Sequence, residues 1–216
     1  MIKRLLVIIT IAIVATMLAS CDATPDAYIE VAHSAPARGF WEDNTFVSPF
    51  FGLRFDVPED WDVLNDEAIA DMFVHADIEY AQIPQGGEVT VEFYEAVMEL
   101  GIIDMSASGH ASTRGITVRL GRLPDGDADM TALQFLENMV ATMNPPATTE
   151  VIIHEETRRI GTQDWYYASF TYPFRHEMAY NLYFVNIDGM FVRSVIVSHF
   201  GSIGSIDDTI ELFRPY

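Results

Sequence analysis

Between residues 150 and 199 the chain falls into four runs, 150–160, 165–172, 179–187 and 190–199, each rich in Val, Ile, Tyr and Phe. Short apolar and aromatic runs bounded by turn residues read as strands. Gly161 to Asp164 joins the first pair, and Pro173 to Glu177 joins the second. Asp188-Gly189 lies between the last two and is a tight hairpin signal. Connections this short join only antiparallel neighbours. A four-stranded meander is therefore expected, and the rest of the chain has to supply what covers it.

Upstream, Leu53, Phe55 and Val57 alternate with Arg54 and Asp56, the pattern of a half-buried strand. Pro58-Glu59-Asp60 makes a turn, and Trp61 with Val63 continues as a short strand. Asn65 is a helix N-cap, with Asp66 and Glu67 in the first turn, where the helix dipole favours acids. Ile69, Met72, Phe73 and Ala76 then follow at helical spacing, so an amphipathic helix is expected over 66–76. Residues 88–100 carry two patterns. Val89, Val91 and Phe93 alternate like a strand, whereas Val91, Tyr94, Val97, Met98 and the closing Gly101 suit a helix. The helix is favoured, because good helix formers fill Glu92–Leu100.

Residues 102–107 and 115–121 read as two strands around a polar loop. A helix is expected over 130–143, capped by Asp129, striped by Leu133, Leu136, Val140 and Met143, and stopped by Asn144-Pro145-Pro146. A last helix starts at Ser205 with Asp208 as capping-box partner and Ile206, Ile210 and Phe213 on its inner face. Strands and helices do not alternate strictly, which argues against a doubly wound parallel sheet. The fold class expected is α+β, an antiparallel sheet with helices packed on its faces.

The first residues are an address rather than part of that fold. Lys3 and Arg4 precede an apolar run over 5–18, and small residues follow. This is the three-part form of a secretory signal peptide. A spanning helix needs about 20 apolar residues, so an uncleaved anchor helix is the weaker account. Leu18-Ala19-Ser20-Cys21 resembles the bacterial lipoprotein cleavage motif, and Cys21 is the chain's single cysteine. The resemblance implies that the Cys21 thiol receives a diacylglyceryl group and becomes the mature N-terminus. Such an anchor holds the protein at a membrane on its extracytoplasmic side. One cysteine also excludes a disulfide framework or a Cys-rich metal site. Residues 1–20 are then the leader, and 21–45 are the lipidated N-terminus and tether. Residues 46–216 form a single domain, on which Phe40 and Trp41 can dock.

Removing the leader leaves ten arginines, no lysine and 32 acids, a formal charge of −22 against −20 for the whole chain. That balance argues against nucleic acid, which needs clustered cations to neutralise phosphate. The missing lysine excludes a P-loop lysine and a Schiff-base lysine. No Gly-rich nucleotide fingerprint is present.

The run FFGLRFDVPEDWDVLNDEAIADMF at 50–73 resembles the opening of bacterial lipoproteins of the PsbP-like superfamily. Gly161, Trp165, Tyr166 and Tyr167, the meander, and the terminal Leu212-Phe213 are similar as well. The likeness covers 46–216 and implies an α/β sandwich of the DcrB-like or LpqN-like kind. Members of that superfamily mostly bind or assist other proteins. Its shared motifs are architectural, so no catalytic residue is implied.

Several residue groups are candidates for chemistry. Asp125-Gly126-Asp127-Ala128-Asp129 has the first spacings of a calcium loop, but an EF-hand needs Gly and Glu where Met130 and Leu136 stand. The plainer account is an acidic loop before a helix. His154-Glu155-Glu156 opens like a zinc-protease helix without its second His, and it lies in a strand-like run. His176-Glu177 fails in the same way. Asp104, Ser106, Ser108 and His110 bring hydrolase residue types together, but no nucleophile elbow surrounds the serines. A solvated strand edge explains them better. Trp165, Tyr166, Tyr167, Phe170, Tyr172, Phe174, Tyr180, Tyr183 and Phe184 crowd the meander. They either lie beneath helices on both faces or leave an apolar patch for binding.

The function expected is a lipid-anchored extracytoplasmic binding or accessory module without catalysis, cofactor or metal. Its partner would be an envelope protein or a small ligand. The alternatives are a hydrolase around Asp104–His110 and an envelope protein responsive to divalent cations.

Overall fold

The computed structural model describes residues 36–72, 85–88, 102–109, 113–124, 126–201 and 204–216, all within one compact unit, Ala35–Tyr216. Residues 1–20, where a leader is expected, Cys21, residues 73–76, residues 89–100, His110 and Asp125 lie outside the described residues.

The meander forms the greater part of a seven-stranded sheet. Its strands are β4 (Asp62–Val63), β5 (Ile102–Ser108), β6 (Arg114–Arg122), β7 (Glu150–Ile160), β8 (Gln163–Phe174), β9 (Glu177–Asp188) and β10 (Phe191–Phe200). The order is β4-β5-β6-β10-β9-β8-β7, with every neighbour antiparallel. The last two strands are joined by Gly189-Met190, with Asp188 paired to Phe191. Gly189 has φ 61°, the left-handed value a tight hairpin gives to glycine. Strands β8 and β9 run longer than the apolar pattern showed, because ladder pairing continues through Pro173↔Met178 and Phe174↔Glu177 to the hairpin tip.

A second sheet was not foreseen. Strands β1 (Phe40–Glu42), β2 (Thr45–Ser48), β3 (Leu53–Asp56) and β11 (Phe213–Pro215) form it in the order β1-β2-β3-β11. Residues 36–45, expected as the end of a tether, are therefore part of the unit, and the boundary expected at Phe46 falls inside a hairpin. Phe213, expected on the last helix, sits on a strand opposite Phe55, with ring centroids 4.9 Å apart. A three-residue strand offers one period of alternation, too little to be legible beside a helix. The expectation of helices alone on the sheet faces is corrected accordingly. The fold is α+β and strand-rich, with a sheet as well as helices against the main sheet.

The small sheet covers one face of the large one. Phe46, Phe51, Leu53, Phe55 and Phe213 pack with Met105, Val118, Leu120, Trp165, Phe184, Val195 and Val197. Ile206 and Ile210 of α3 (Gly204–Ile210) complete this core. Each large side chain so buried contributes about 1.5–3 kcal/mol. The opposite face carries Ala168, Phe170, Val185 and Val192 beneath α2 (Ala132–Met143).

Helix α2 begins later than expected. Met130 N donates to the Asp127 carbonyl at 2.9 Å, so Asp129 is used in a turn. Thr131 is the N-cap: its hydroxyl accepts from Gln134 N at 3.2 Å, and the Gln134 side chain accepts from Thr131 N at 2.9 Å. Phe135, Leu136, Met139 and Val140 meet the sheet. Met143, expected in the stripe, is exposed. Helix α1 (Asp66–Met72) starts as expected, with Asn65 Oδ1 accepting from Ala68 N at 2.8 Å.

Arg175, at the β8–β9 tip, has φ 56°. A side chain in this left-handed region costs roughly 1–2 kcal/mol, partly offset in a glycine variant by the freer unfolded chain. Arg175→Gly is expected to raise stability by about 0.5–1 kcal/mol, read as a higher urea midpoint. An unchanged or lower midpoint would refute this.

Candidate functional site

The hydrolase candidates are separated by a β-bulge. The β5–β6 register shifts between Ile103 and Met105, so Asp104 leaves the alternation that Ser106 and Ser108 follow. Asp104 is buried, and its carboxylate accepts from Gly39 N at 3.0 and 3.1 Å. Arg38, next in the chain, is buried and paired with Asp66 of α1. Asp104 therefore fastens the segment entering β1. Ser106 lies 3.4 Å from the Thr117 hydroxyl on the neighbouring strand. The structure does not bring Asp104 and these serines into one site.

A different serine meets a histidine. His154 Nε2 lies 3.1 Å from Ser169 Oγ, on adjacent strands β7 and β8. The imidazole stacks on Tyr167 at 4.1 Å, and Tyr167 stacks in turn on Phe184 at 5.3 Å. The β7–β8 register shifts between His154 and Arg158, which brings the Arg158 guanidinium 6.0 Å from the Tyr167 ring. Arg158 Nη2 donates to Asp207 of α3 at 2.9 Å. Burial pushes the Tyr167 hydroxyl above its ordinary pKa; Glu156 adds to this, Arg158 opposes it, and Asp207 adds a smaller push. Sequence reasoning missed Ser169, because fifteen residues separate it from His154 and only the hairpin register joins them.

Nucleophilic catalysis needs a base held by a third group. Among the described residues no carboxylate bonds the other His154 nitrogen. The cluster instead ties α3 to β7 through Arg158, and floors an open part of the sheet. On that face Ile152 stands opposite Ser169, and Thr171 stands opposite Tyr180. Ile152 is 48% exposed, and Ser169, Thr171 and Tyr180 are half-buried. The result is a mixed apolar, aromatic and hydroxyl-bearing shelf beside His154.

The aromatic crowd divides between the two alternatives. Trp165, Tyr167, Phe170 and Phe184 are buried, and Tyr166, Tyr172, Tyr180 and Tyr183 are half-buried. Phe174 is 42% exposed at the β8–β9 tip, with Met178 at 38% beside it.

Asp127, Asp129 and Glu137 line an open cleft of about 340 Å³ at the start of α2, with Gln134 and Asn138. Among the described residues no three His, Cys, Asp or Glu side chains are grouped to hold a metal. Leu136, at the position of the bidentate EF-hand Glu, is fully buried on the face of α2 that meets the sheet. Calcium at matched ionic strength is therefore expected to leave the melting temperature unchanged. A calcium-specific rise would revive the cation-responsive alternative.

His199 on β10 is 5% exposed, and its Nδ1 has no hydrogen-bond partner among the described residues. It stands opposite Arg114 on β6 and Tyr180 on β9. Burial, then Arg114, push its pKa below the usual histidine value. The unfolded chain binds this proton more readily, so the stabilising contribution is present above the unfolded pKa of about 6.5 and is lost as pH falls through the folded value. The stability difference between wild type and His199→Gln is expected to shrink from pH 7.5 to pH 5.5. A pH-independent difference in urea midpoints would refute it.

No protein-family model matches the chain, and no curated protein sequence matches it. A crystal structure from Bacteroides thetaiotaomicron VPI-5482 is similar at TM-score 0.39 and 11% identity, over 80% of this chain and 48% of that one. The chain thus spans about half the length of that structure. Among the described residues no helix is long and apolar enough to cross a membrane.

Proposed function

We propose that this chain is a lipid-anchored extracytoplasmic binding or accessory module, held at a membrane through Cys21 and acting without catalysis. Its binding surface is the shelf formed by Ile152, His154, Ser169, Thr171 and Tyr180, and its partner is an envelope protein or a small ligand. The observation that carries this reading is the open sheet face itself. Ile152 is 48% exposed there on a chain of formal charge −20, while the neighbouring part of the same face is sealed by the small sheet. An apolar residue flanked by Tyr, Ser, Thr and His gives contact area together with hydrogen-bonding groups, and tyrosine is enriched at protein interfaces. The anchor rests on the leader and the Leu18–Cys21 motif.

We also read the fold as PsbP-like. Its support is the segment 50–73, which supplies β3, the Trp61 turn, β4 and α1 in that order, followed by the long antiparallel meander.

The test uses the full chain in a bacterial envelope. Mass spectrometry is expected to find a diacylglyceryl group on Cys21, and Cys21→Ser is expected to release the protein from membranes. A photoreactive side chain at Ile152 should give a discrete adduct that the same group at Met143 does not. An unmodified Cys21 would overturn the anchor, and matching adducts at both positions would overturn the shelf. A fluorophosphonate probe that labels Ser169 would overturn the non-catalytic assignment.

A further inference from the structure

The β8–β9 hairpin overhangs its sheet. Pairing of β7 with β8 begins at Thr171, and pairing of β10 with β9 ends at Ala179. Tyr172 to Glu177 therefore continue past the ladders of both outer neighbours as a two-stranded finger, and Met178 at its base is held through its carbonyl, which accepts from Gly201 N at 2.9 Å. The finger carries the largest exposed apolar side chains of the meander's turns, Phe174 and Met178. Phe174 is braced from behind by Phe200, with ring centroids 5.0 Å apart. The Arg175 guanidinium lies 5.3 Å from the centre of the Phe174 ring. Arg175 holds this place with φ 56°, where glycine would sit without strain. His176 is exposed beside it, and Glu177 is the finger's one acid. An exposed arginine over an exposed ring costs backbone strain that glycine would not, and returns one solvent-exposed cation–π contact.

An aromatic and a thioether beside a guanidinium suit one kind of environment well. At the boundary of a phospholipid bilayer, Phe and Met reach the upper acyl region while Arg meets phosphate. The remainder of the chain opposes such contact, because 32 acids against 12 basic residues repel anionic headgroups. Within the finger Arg175 and Glu177 cancel, so that repulsion is locally absent. The fourteen residues between Cys21 and Pro36 span at most about 50 Å, so an anchored unit stays within reach of the surface.

We propose that the Phe174–Met178 finger dips into the bilayer to which Cys21 is anchored, and so orients the body with its shelf turned toward a partner. This rests on the anchored reading of Cys21. Two apolar side chains bind weakly alone, but tethering turns the contact into an intramolecular one at high effective concentration.

The experiment places a bimane fluorophore on Met178→Cys in the acylated full chain, reconstituted in phosphatidylcholine vesicles with and without a shallow nitroxide lipid. Quenching of about twofold is expected at position 178 and none at a Met143→Cys control. Phe174→Asp should abolish the quenching in a chain whose far-ultraviolet circular dichroism still shows it folded, with a lower melting temperature from the lost Phe200 contact. Adding anionic phosphatidylglycerol should weaken it as the acidic body is repelled, and Arg175→Glu should weaken it further. Absence of quenching on a chain whose Cys21 carries lipid overturns the finger and leaves the anchor standing. Should Cys21 prove unlipidated, the same label on the soluble chain with added vesicles decides the finger alone. A photocrosslink from position 174 to a protein, with no lipid quenching, would also overturn it.

Discussion

Gly161→Ala is expected to destabilise the protein by about 3 kcal/mol or more, enough to remove much of the stability of an ordinary domain. Gly161 has φ 61°, and an added Cβ would lie 2.3 Å from the Gly52 carbonyl oxygen and 2.9 Å from Leu53 Cβ. Here the large sheet meets the small one. The Gly52 carbonyl accepts from Thr162 N at 2.9 Å and from Thr162 Oγ1 at 3.1 Å. Alanine therefore imposes both a left-handed backbone and a collision between two backbones, neither of which can rotate away. Gly189→Ala is the control. It shares φ 61°, but nothing lies within 4 Å of its Cβ position. Its cost is expected to be the backbone component alone, about 1–2 kcal/mol. Equal losses for the two variants in urea melts would sink the account of the sheet junction.

Arg193→Met is expected to cost about 3 kcal/mol. Arg193 is 5% exposed on β10, beneath the turn between β2 and β3. Its Nη1 donates to the Phe50 carbonyl at 2.8 Å, Nη2 donates to Asn186 Oδ1, and Asp188 lies 3.4 Å away. The guanidinium also sits 5.3 Å from the Phe50 ring centre. Burial pushes its pKa down, and the Asp188 carboxylate partly restores it. Methionine fills the volume but supplies no donor to the Phe50 carbonyl and no counter-charge to Asp188. In an Asp188→Asn background the loss should be smaller, because the carboxylate no longer needs a cation. An Arg193→Met loss under 1 kcal/mol, or one unchanged in that background, would show that the guanidinium is not the tie between the sheets.

Both residues show what a sequence leaves unsaid. Arg193 alternates along an apolar strand, Val192-Arg193-Ser194-Val195, and nothing local marks it as inward-facing. Its partners Phe50 and Asn186 lie on the β2–β3 turn and on β9, and Phe50 is 143 residues away in the chain. Gly161 was legible as a turn residue, but the backbone it touches was not. Likewise, Asp104 looked like one of a row with Ser106 and Ser108 until a bulge turned it toward Gly39. His154 looked like half of a metal motif, whereas its neighbour is Ser169, set by hairpin register. Thr131 took the cap from Asp129 because a turn came first.

The elements with several periods of alternation, β5 to β10, were readable from the chain alone, and so were the helix from Ala132 and the antiparallel order imposed by short connections. Residue pattern fixes these because burial of one face repeats every second or every third to fourth residue. Tertiary contact decided the split into two sheets, the strand at Phe213, the bulge at Asp104 and the His154–Ser169 pair. Those features depend on which distant backbone or side chain arrives alongside, and short strands and single contacts carry no period for a sequence to display.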